Sequence, residues 1–136
     1  MRTEQRLRAL EDALLHLREH ASGAGVIVEG IRDKEALEQL GIGGVHVAVH
    51  RGRALETRID EIAARSQAEG WRRVIVLMDW DRTGGRLAER LRQGLAARVP
   101  LDLDCRRRLA AAARARCVQE VPADLAALRA RADPRG

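Results

Sequence analysis

Tyrosine and phenylalanine are absent from this 136-residue chain, and tryptophan occurs only at Trp71 and Trp80. Proteins that bind single strands by stacking successive bases need several aromatic rings, so an RRM or OB-type module is excluded. Cysteine is equally scarce. Cys105 and Cys117 stand twelve residues apart with no C-x-x-C pair, which indicates neither a zinc knuckle nor a disulfide framework. Both read as small core or helix residues in a reducing compartment. There is no apolar run of the roughly 18 residues that a membrane span requires. The opening Met-Arg-Thr-Glu-Gln-Arg also lacks the basic-then-apolar layout of a signal peptide. The expectation is a cytoplasmic protein with no membrane partner.

Hydrophobic residues make up 46% of the chain, enough to bury the core of one domain. The formal net charge is +5 and the pI about 10.7. Of the 25 basic residues, Lys34 alone is lysine. Arginine is weakly hydrated and grips phosphate through two parallel hydrogen bonds, which suits nucleic-acid backbones. A GC-rich genome produces the same bias without functional demand, so charge alone points only weakly to a polyanionic partner.

Hydrophobic periodicity orders the rest. Leu7, Leu10, Leu14 and Leu17 recur at helical spacing through 4–20, an amphipathic helix broken by Ser22-Gly23-Ala24-Gly25. Val26-Ile27-Val28 reads as a buried strand. Asp33 is placed to cap a helix over Lys34–Leu40 that stops at Gly41. Val45, Val47 and Val49 alternate with His46, Ala48 and His50 as a second strand. Leu55, Ile59 and Ile62 mark a helix over 54–68 closed by Gly70. Val74–Met78, the most apolar segment, is a central strand. Thr83 is a candidate cap for a helix whose inner face holds Leu87, Leu91 and Leu95, and Pro100 ends that unit. Leu101–Leu103 make a short fourth strand. The alanine-rich 106–116 reads as helix, and a last helix after Pro122 carries Leu125 and Leu128. Strands alternating with helices imply right-handed crossovers, hence an α/β fold with a mainly parallel four-stranded sheet and helices on both faces. The expected division is an N-terminal helix packed on the domain over 1–22, a core over 24–104 and a helical extension over 105–136.

The chemistry concentrates at two strand ends. Glu29-Gly30 closes V-I-V-E-G, and V-I-V-L-M-D-W-D-R-T-G-G carries Asp79 and Asp81. Ligands bind at the carboxyl ends of the strands in a parallel α/β sheet, and carboxylates gathered there repel one another unless a cation lies between them. Asp79 and Asp81 alternate, so in an extended stretch both side chains project to one side. That arrangement suits oxygen ligation of a hard cation such as Mg²⁺. Gly30 permits a sharp turn. Gly84 and Gly85 open the next helix, where bare backbone can approach a phosphate and the helix N-terminus favours anions. Singly, each motif also fits a solvated loop acid or a helix cap; in order, at equivalent ends of two strands, they point to a site.

The strings V-I-V-E-G-I-R-D-K-E-A-L and V-L-M-D-W-D-R-T-G-G-R-L-A together resemble a TOPRIM domain, the module shared by DnaG-type primases, type IA and type II topoisomerases, OLD-family nucleases and ribosomal-RNA maturases. The resemblance covers roughly residues 24–104, and the remainder is similar to small stand-alone TOPRIM proteins. It implies a Rossmann-like domain in which Glu29 acts as general acid or base, or as a metal ligand, while Asp79 and Asp81 hold Mg²⁺, with Mn²⁺ as a substitute. Asp33 matches the acid that follows the glutamate in primase-like versions and is given a structural role. Ala88 matches the small residue on the helix after the second motif. Ile31 departs from the Lys or Tyr of many members, which leaves Arg32 or Lys34 to take over phosphate contact. Arg82 and Arg86 are further candidates for that contact, with Gly30, Gly84 and Gly85 offering backbone.

The chain also narrows what the resemblance implies. Topoisomerases cleave through a tyrosine nucleophile, which is missing here, and primases need a zinc module and polymerase structure for which 136 residues leave no room. Two readings follow: a Mg²⁺-dependent enzyme of nuclease type acting on RNA or DNA phosphodiesters, or a non-catalytic nucleic-acid-binding or ribonucleoprotein component on the same scaffold. Other constellations carry less. His16-Leu-Arg-Glu19-His20 fits the H-x-x-E-H zinc-peptidase pattern, but the leucine stripe places both histidines on an opposite, exposed face with no third ligand in view. His46 and His50 share a strand face and read as ordinary strand residues. Arg106-Arg107-Arg108 reads equally as a solvated helix face or a backbone-tracking patch. Trp80 is expected to point away from the acidic site into packing.

Overall fold

The computed structural model describes residues 2–49, 54–78, 80, 84–133 and 135. Among them run four strands, β1 (Gly25–Val28), β2 (Val45–Ala48), β3 (Val74–Val76) and β4 (Leu101–Asp102). Six helices accompany them: α1 (Thr3–Ala21), α2 (Ile31–Gln39), α3 (Leu55–Glu69), α4 (Gly84–Leu95), α5 (Asp104–Ala112) and α6 (Val121–Ala132). The strands order as β2-β1-β3-β4, and every pairing is parallel, so the expected α/β architecture is present and its sheet is wholly parallel.

Alternation along the strands divides the core into two layers. Val26, Val28, Ile75 and Leu77 face a layer built with α1, α2, α5 and α6, where Leu10, Leu14, Leu17, Leu37, Leu109 and Leu128 are buried. Ile27, Val74, Val76 and Met78 face the other side, against Ile59 and Ile62 of α3 and Leu91 and Leu95 of α4. Burial on both faces explains why β1 and β3 read as continuous apolar runs rather than alternating ones. The helix of the β1-to-β2 crossover lies on the first face, whereas those of the β2-to-β3 and β3-to-β4 crossovers lie on the second. A right-handed crossover changes face when it changes direction along the sheet, so the order reverses between β1 and β3. Their carboxyl ends therefore open into the crevice where such sheets take ligands.

Two helix boundaries differ from the sequence expectation. α2 begins at Ile31, with Asp33 in its first turn; rather than standing at the cap position, Asp33 reaches back to accept the Gly30 N–H at 3.1 Å. At the other end, Gly41 turns at φ 71° while its N–H bonds the Glu38 carbonyl and that of Ile42 bonds Leu37. This closes the last turn as a Schellman motif, for which glycine is the usual residue. α5 spans Asp104–Ala112 instead of 106–116. It starts early because the Asp102 carboxylate accepts the N–H groups of Asp104 at 2.9 Å and Cys105 at 3.1 Å. It stops early because Asp124 accepts the Arg114 N–H and Glu120 that of Arg116, which pulls the chain off the helical path despite its alanines.

Gly25 opens β1 against the indole of Trp71, and a Cβ there would lie 2.3 Å from the ring. Trp71 is itself buried and cannot yield cheaply. Gly25→Ala is expected to destabilise the fold by about 1–3 kcal/mol, as overpacking does. Urea denaturation followed by tryptophan fluorescence measures it, and an unshifted midpoint would contradict this packing.

Candidate functional site

The pairing of β1 with β3 sets the site's frame. Beyond the strand ends the ladder continues: Leu77 donates to the Ile27 carbonyl and Val49 to that of Val28, each at 2.9 Å. With Ile27 opposite Val76, the same register brings Glu29 level with Met78, the residue before Asp79. Glu29 is half-buried there. Asp79, Asp81, Arg82 and Thr83 lie outside the described residues, as does His50. Gly84 and Gly85 form the first turn of α4, Arg86 follows them exposed, and Ala88 is buried beneath.

Asp33 organises the acidic turn. One carboxylate oxygen accepts the Gly30 N–H and the other the Gln119 N–H, both at 3.1 Å. The first turn of α2 is thereby tied to a 3-10 turn at Val118–Glu120. Asp33 is only 8% exposed. Burial raises its pKa above the ordinary aspartate value, and the negative Glu29 pushes it further the same way, against the pull of those two hydrogen bonds. The Gly30 N–H is thus already engaged, which leaves the exposed Arg32 and half-buried Lys34 as the nearby groups of this turn. Arg32 lines a groove with Glu35, Gln39 and Glu120 between α2 and the start of α6.

Sequence reasoning singled out Arg106 only as one of three clustered arginines, without its own role. Its Nε donates to the Met78 carbonyl at 2.7 Å, so α5 holds the end of β3 at the point where the chain runs on to Asp79. The triple arginine divides by role, since Arg107 and Arg108 both pair with Asp104. Only the geometry of α5 against β3 separates them, and no spacing rule could have done so. Trp80 packs against the first core layer and donates its Nε1–H to the Leu77 carbonyl at 2.9 Å, directed into packing as expected. The His46 ring lies 3.0 Å from the Gly43 carbonyl, an ordinary loop contact. Many surface arginines are neutralised locally, among them Arg58 by Glu61, Arg92 by Glu89 and Arg98 by Asp60, which thins the field available to a polyanion. Cys105 is buried and Cys117 half-buried, both as free thiols.

The histidines of α1 depart from expectation. His16 and His20 are half-buried rather than exposed, with the His16 ring 3.6 Å from Asp104 at the start of α5. Buried residues on α1 include Ala13 as well as the leucines, and α5 and α6 both pack on this helix. The covered surface is therefore wider than the leucine stripe.

A family model described as the Toprim domain matches residues 25–111. A UPF0292 protein of Methanosarcina acetivorans is 39% identical over 88 residues, 64% of this chain and 57% of its own length. One from Methanocaldococcus jannaschii is 34% identical over 89 residues, 65% of this chain and 66% of its own. The match thus spans less than two thirds of these curated relatives. A solved protein of Aquifex aeolicus superposes with a TM-score of 0.57 at 22% identity, covering 71% of this chain and 84% of that one, a likeness of fold.

Asp33→Ala would strand two backbone N–H groups and is expected to cost about 1–3 kcal/mol in urea denaturation. The sign of its pH dependence follows from the raised pKa. The carboxyl's contribution is complete below its unfolded value near 3.8 and is lost as pH rises through the higher folded value. The gap between wild type and Asp33→Ala should therefore narrow from acid toward neutral pH; a gap that widens would contradict the burial argument.

Proposed function

The chain belongs to the Toprim domain family, and from that premise we propose that it binds nucleic acid and hydrolyses its phosphodiester bonds with the help of Mg²⁺. The supporting observation is the position of Glu29 at the carboxyl end of β1, beside β3 and at the reversal of strand order, with two aspartates following β3 in the chain. Toprim domains generally bind Mg²⁺, and a donor set of carboxylate oxygens fits that hard cation. Asp79 and Asp81 are the residues that would hold it, with Glu29 as a further ligand. The bound ion supplies charge neutralisation and polarisation at a phosphate.

The chain's own groups do the rest. Glu29 exchanges a proton with the attacking water or the leaving oxygen as general acid or base. Arg86 and Arg82 steady a non-bridging phosphate oxygen, as does the open first turn of α4 at Gly84 and Gly85. Lys34 and Arg32 take the neighbouring phosphate on the α2 side. Arg106 keeps the end of β3 in place while substrate binds.

Labelled RNA and DNA incubated with and without Mg²⁺ provide the test. Cleavage is expected to require the ion, to fall about 10²–10⁴-fold in Glu29→Gln, and to be lost in the Asp79→Asn plus Asp81→Asn variant. Binding should weaken as salt rises. Salt-sensitive binding without cleavage, unaltered in Glu29→Gln, would overturn the hydrolytic assignment in favour of a binding component.

A further inference from the structure

We propose that His16, His20 and Cys105 form a binding site for a transition-metal ion of the Zn²⁺ type, pinning α1 to α5. One ligand atom from each of the three lies within 4.8 Å of the others. In tetrahedral coordination with bonds of about 2.0–2.3 Å, such atoms stand roughly 3.3–3.7 Å apart, so small side-chain rotations suffice to close around an ion.

The two histidines are already arranged as ligands. They sit four residues apart on one flank of α1, with ring centroids 3.9 Å apart. His20 Nδ1 lies 2.8 Å from the His16 carbonyl. A carbonyl only accepts, so Nδ1 carries the proton and Nε2 keeps its lone pair. This backbone hydrogen bond on the far nitrogen is the device that orients metal-binding imidazoles. His16 Nε2 is buried with no hydrogen-bond partner, and the nearest acid, Asp104 Oδ2, stands off at 3.6 Å. A buried nitrogen left in that state is costly, and a cation between it and its neighbours removes the cost.

Cys105 completes the set from the first turn of α5, its N–H fixed by Asp102 and its Sγ 3.6 Å from the other Asp102 oxygen. Asp104 is the adjacent candidate for a fourth donor. His20, Asp102 and Asp104 line a surface cavity of about 420 Å³ on the His20 side of the cluster, while Cys105 and His16 Nε2 lie buried behind it. Arg73, also on that cavity, donates to the His20 carbonyl, while Arg107 and Arg108 are held by Asp104. The Cys105 thiol, which donates to Asp102 in the metal-free protein, gives up its proton to solvent as the ion binds, and two imidazoles with the resulting thiolate select Zn²⁺ or Co²⁺ over Mg²⁺. No residue of the acidic motifs takes part. Arg73, which holds His20, directly precedes the first residue of β3. The histidine end of the cluster thus lies toward the amino edge of the sheet, opposite Glu29.

Cobalt titration of the full-length, chelator-stripped protein tests the assignment. One equivalent of Co²⁺ is expected to produce a near-ultraviolet thiolate-to-cobalt band and to raise Tm, with Zn²⁺ displacing Co²⁺ and excess Mg²⁺ leaving the band unchanged. Cys105→Ser should abolish the band, and His20→Gln, at a half-exposed position, should weaken Co²⁺ binding at least tenfold with far-ultraviolet circular dichroism unchanged. Cys117→Ser and the Asp79→Asn plus Asp81→Asn variant should bind as wild type. Absence of the band in wild type, its loss in Cys117→Ser, or full affinity in His20→Gln would each overturn the site, whether or not Cys105→Ser folds.

Discussion

The parallel pairing of β1 with β3 is the constraint on which the rest of the molecule depends. The two strands are not consecutive, so the chain must leave β1 on one face of the sheet, build β2, and return across β1 on the other face before β3 can form. That route sends α2 to one layer and α3 and α4 to the other. It also leaves the carboxyl ends of β1 and β3 side by side with the helices that follow them on opposite faces, which is how an open α/β sheet makes a crevice. Two short runs of β-branched residues, Val26-Ile27-Val28 and Val74-Ile75-Val76, carry this arrangement. All six are fully buried, and each presents side chains to both layers.

Around that crevice the structure spends backbone hydrogen bonds on position. Asp33 takes two N–H groups from separate segments, and Arg106 takes the Met78 carbonyl. Arg106 is a charged side chain engaged with a neutral backbone group, a pairing stronger than a neutral hydrogen bond and free of the desolvation of a second ion. Glu29-Gly30 and the end of β3 at Met78 are both held from the first layer, Asp33 acting from the α2 side and Arg106 from α5. Neither residue needs to touch a substrate to matter for what the edge can do.

The strands that frame the crevice are legible in the sequence because their determinants are local. Strand ends, Glu29-Gly30 and the Asp79/Asp81 pair sit inside short apolar contexts, and the period of those contexts identifies the strands without tertiary information. What could not be read depends on which helix covers which flank. From Leu14, near the centre of the buried stripe of α1, His20 and His16 lie about 120–160° around the helix at 3.6 residues per turn. That is outside any stripe counted from leucines, yet it is the flank that α5 covers. The start and end of α5 were misjudged for a related reason. Alanine favours helix, but Asp102, Asp124 and Glu120 capture particular N–H groups, and captures made across the fold override propensity.

The separation of donor types across the sheet follows from the same topology. Glu29 stands half-buried at the carboxyl end of β1, and an acid buried without partners would be too costly elsewhere. Imidazole and thiol tolerate burial as neutral groups, and here burial lowers the His16 pKa while raising that of Cys105 to about 12. They can therefore be packed into the seam between α1 and α5, with Asp102 and Asp104 at its rim, each engaged by partners of its own. Mg²⁺ at the crevice would not compete for the seam, because two imidazoles and a thiolate disfavour that hard ion. That selectivity comes from where each side chain can be buried at acceptable cost.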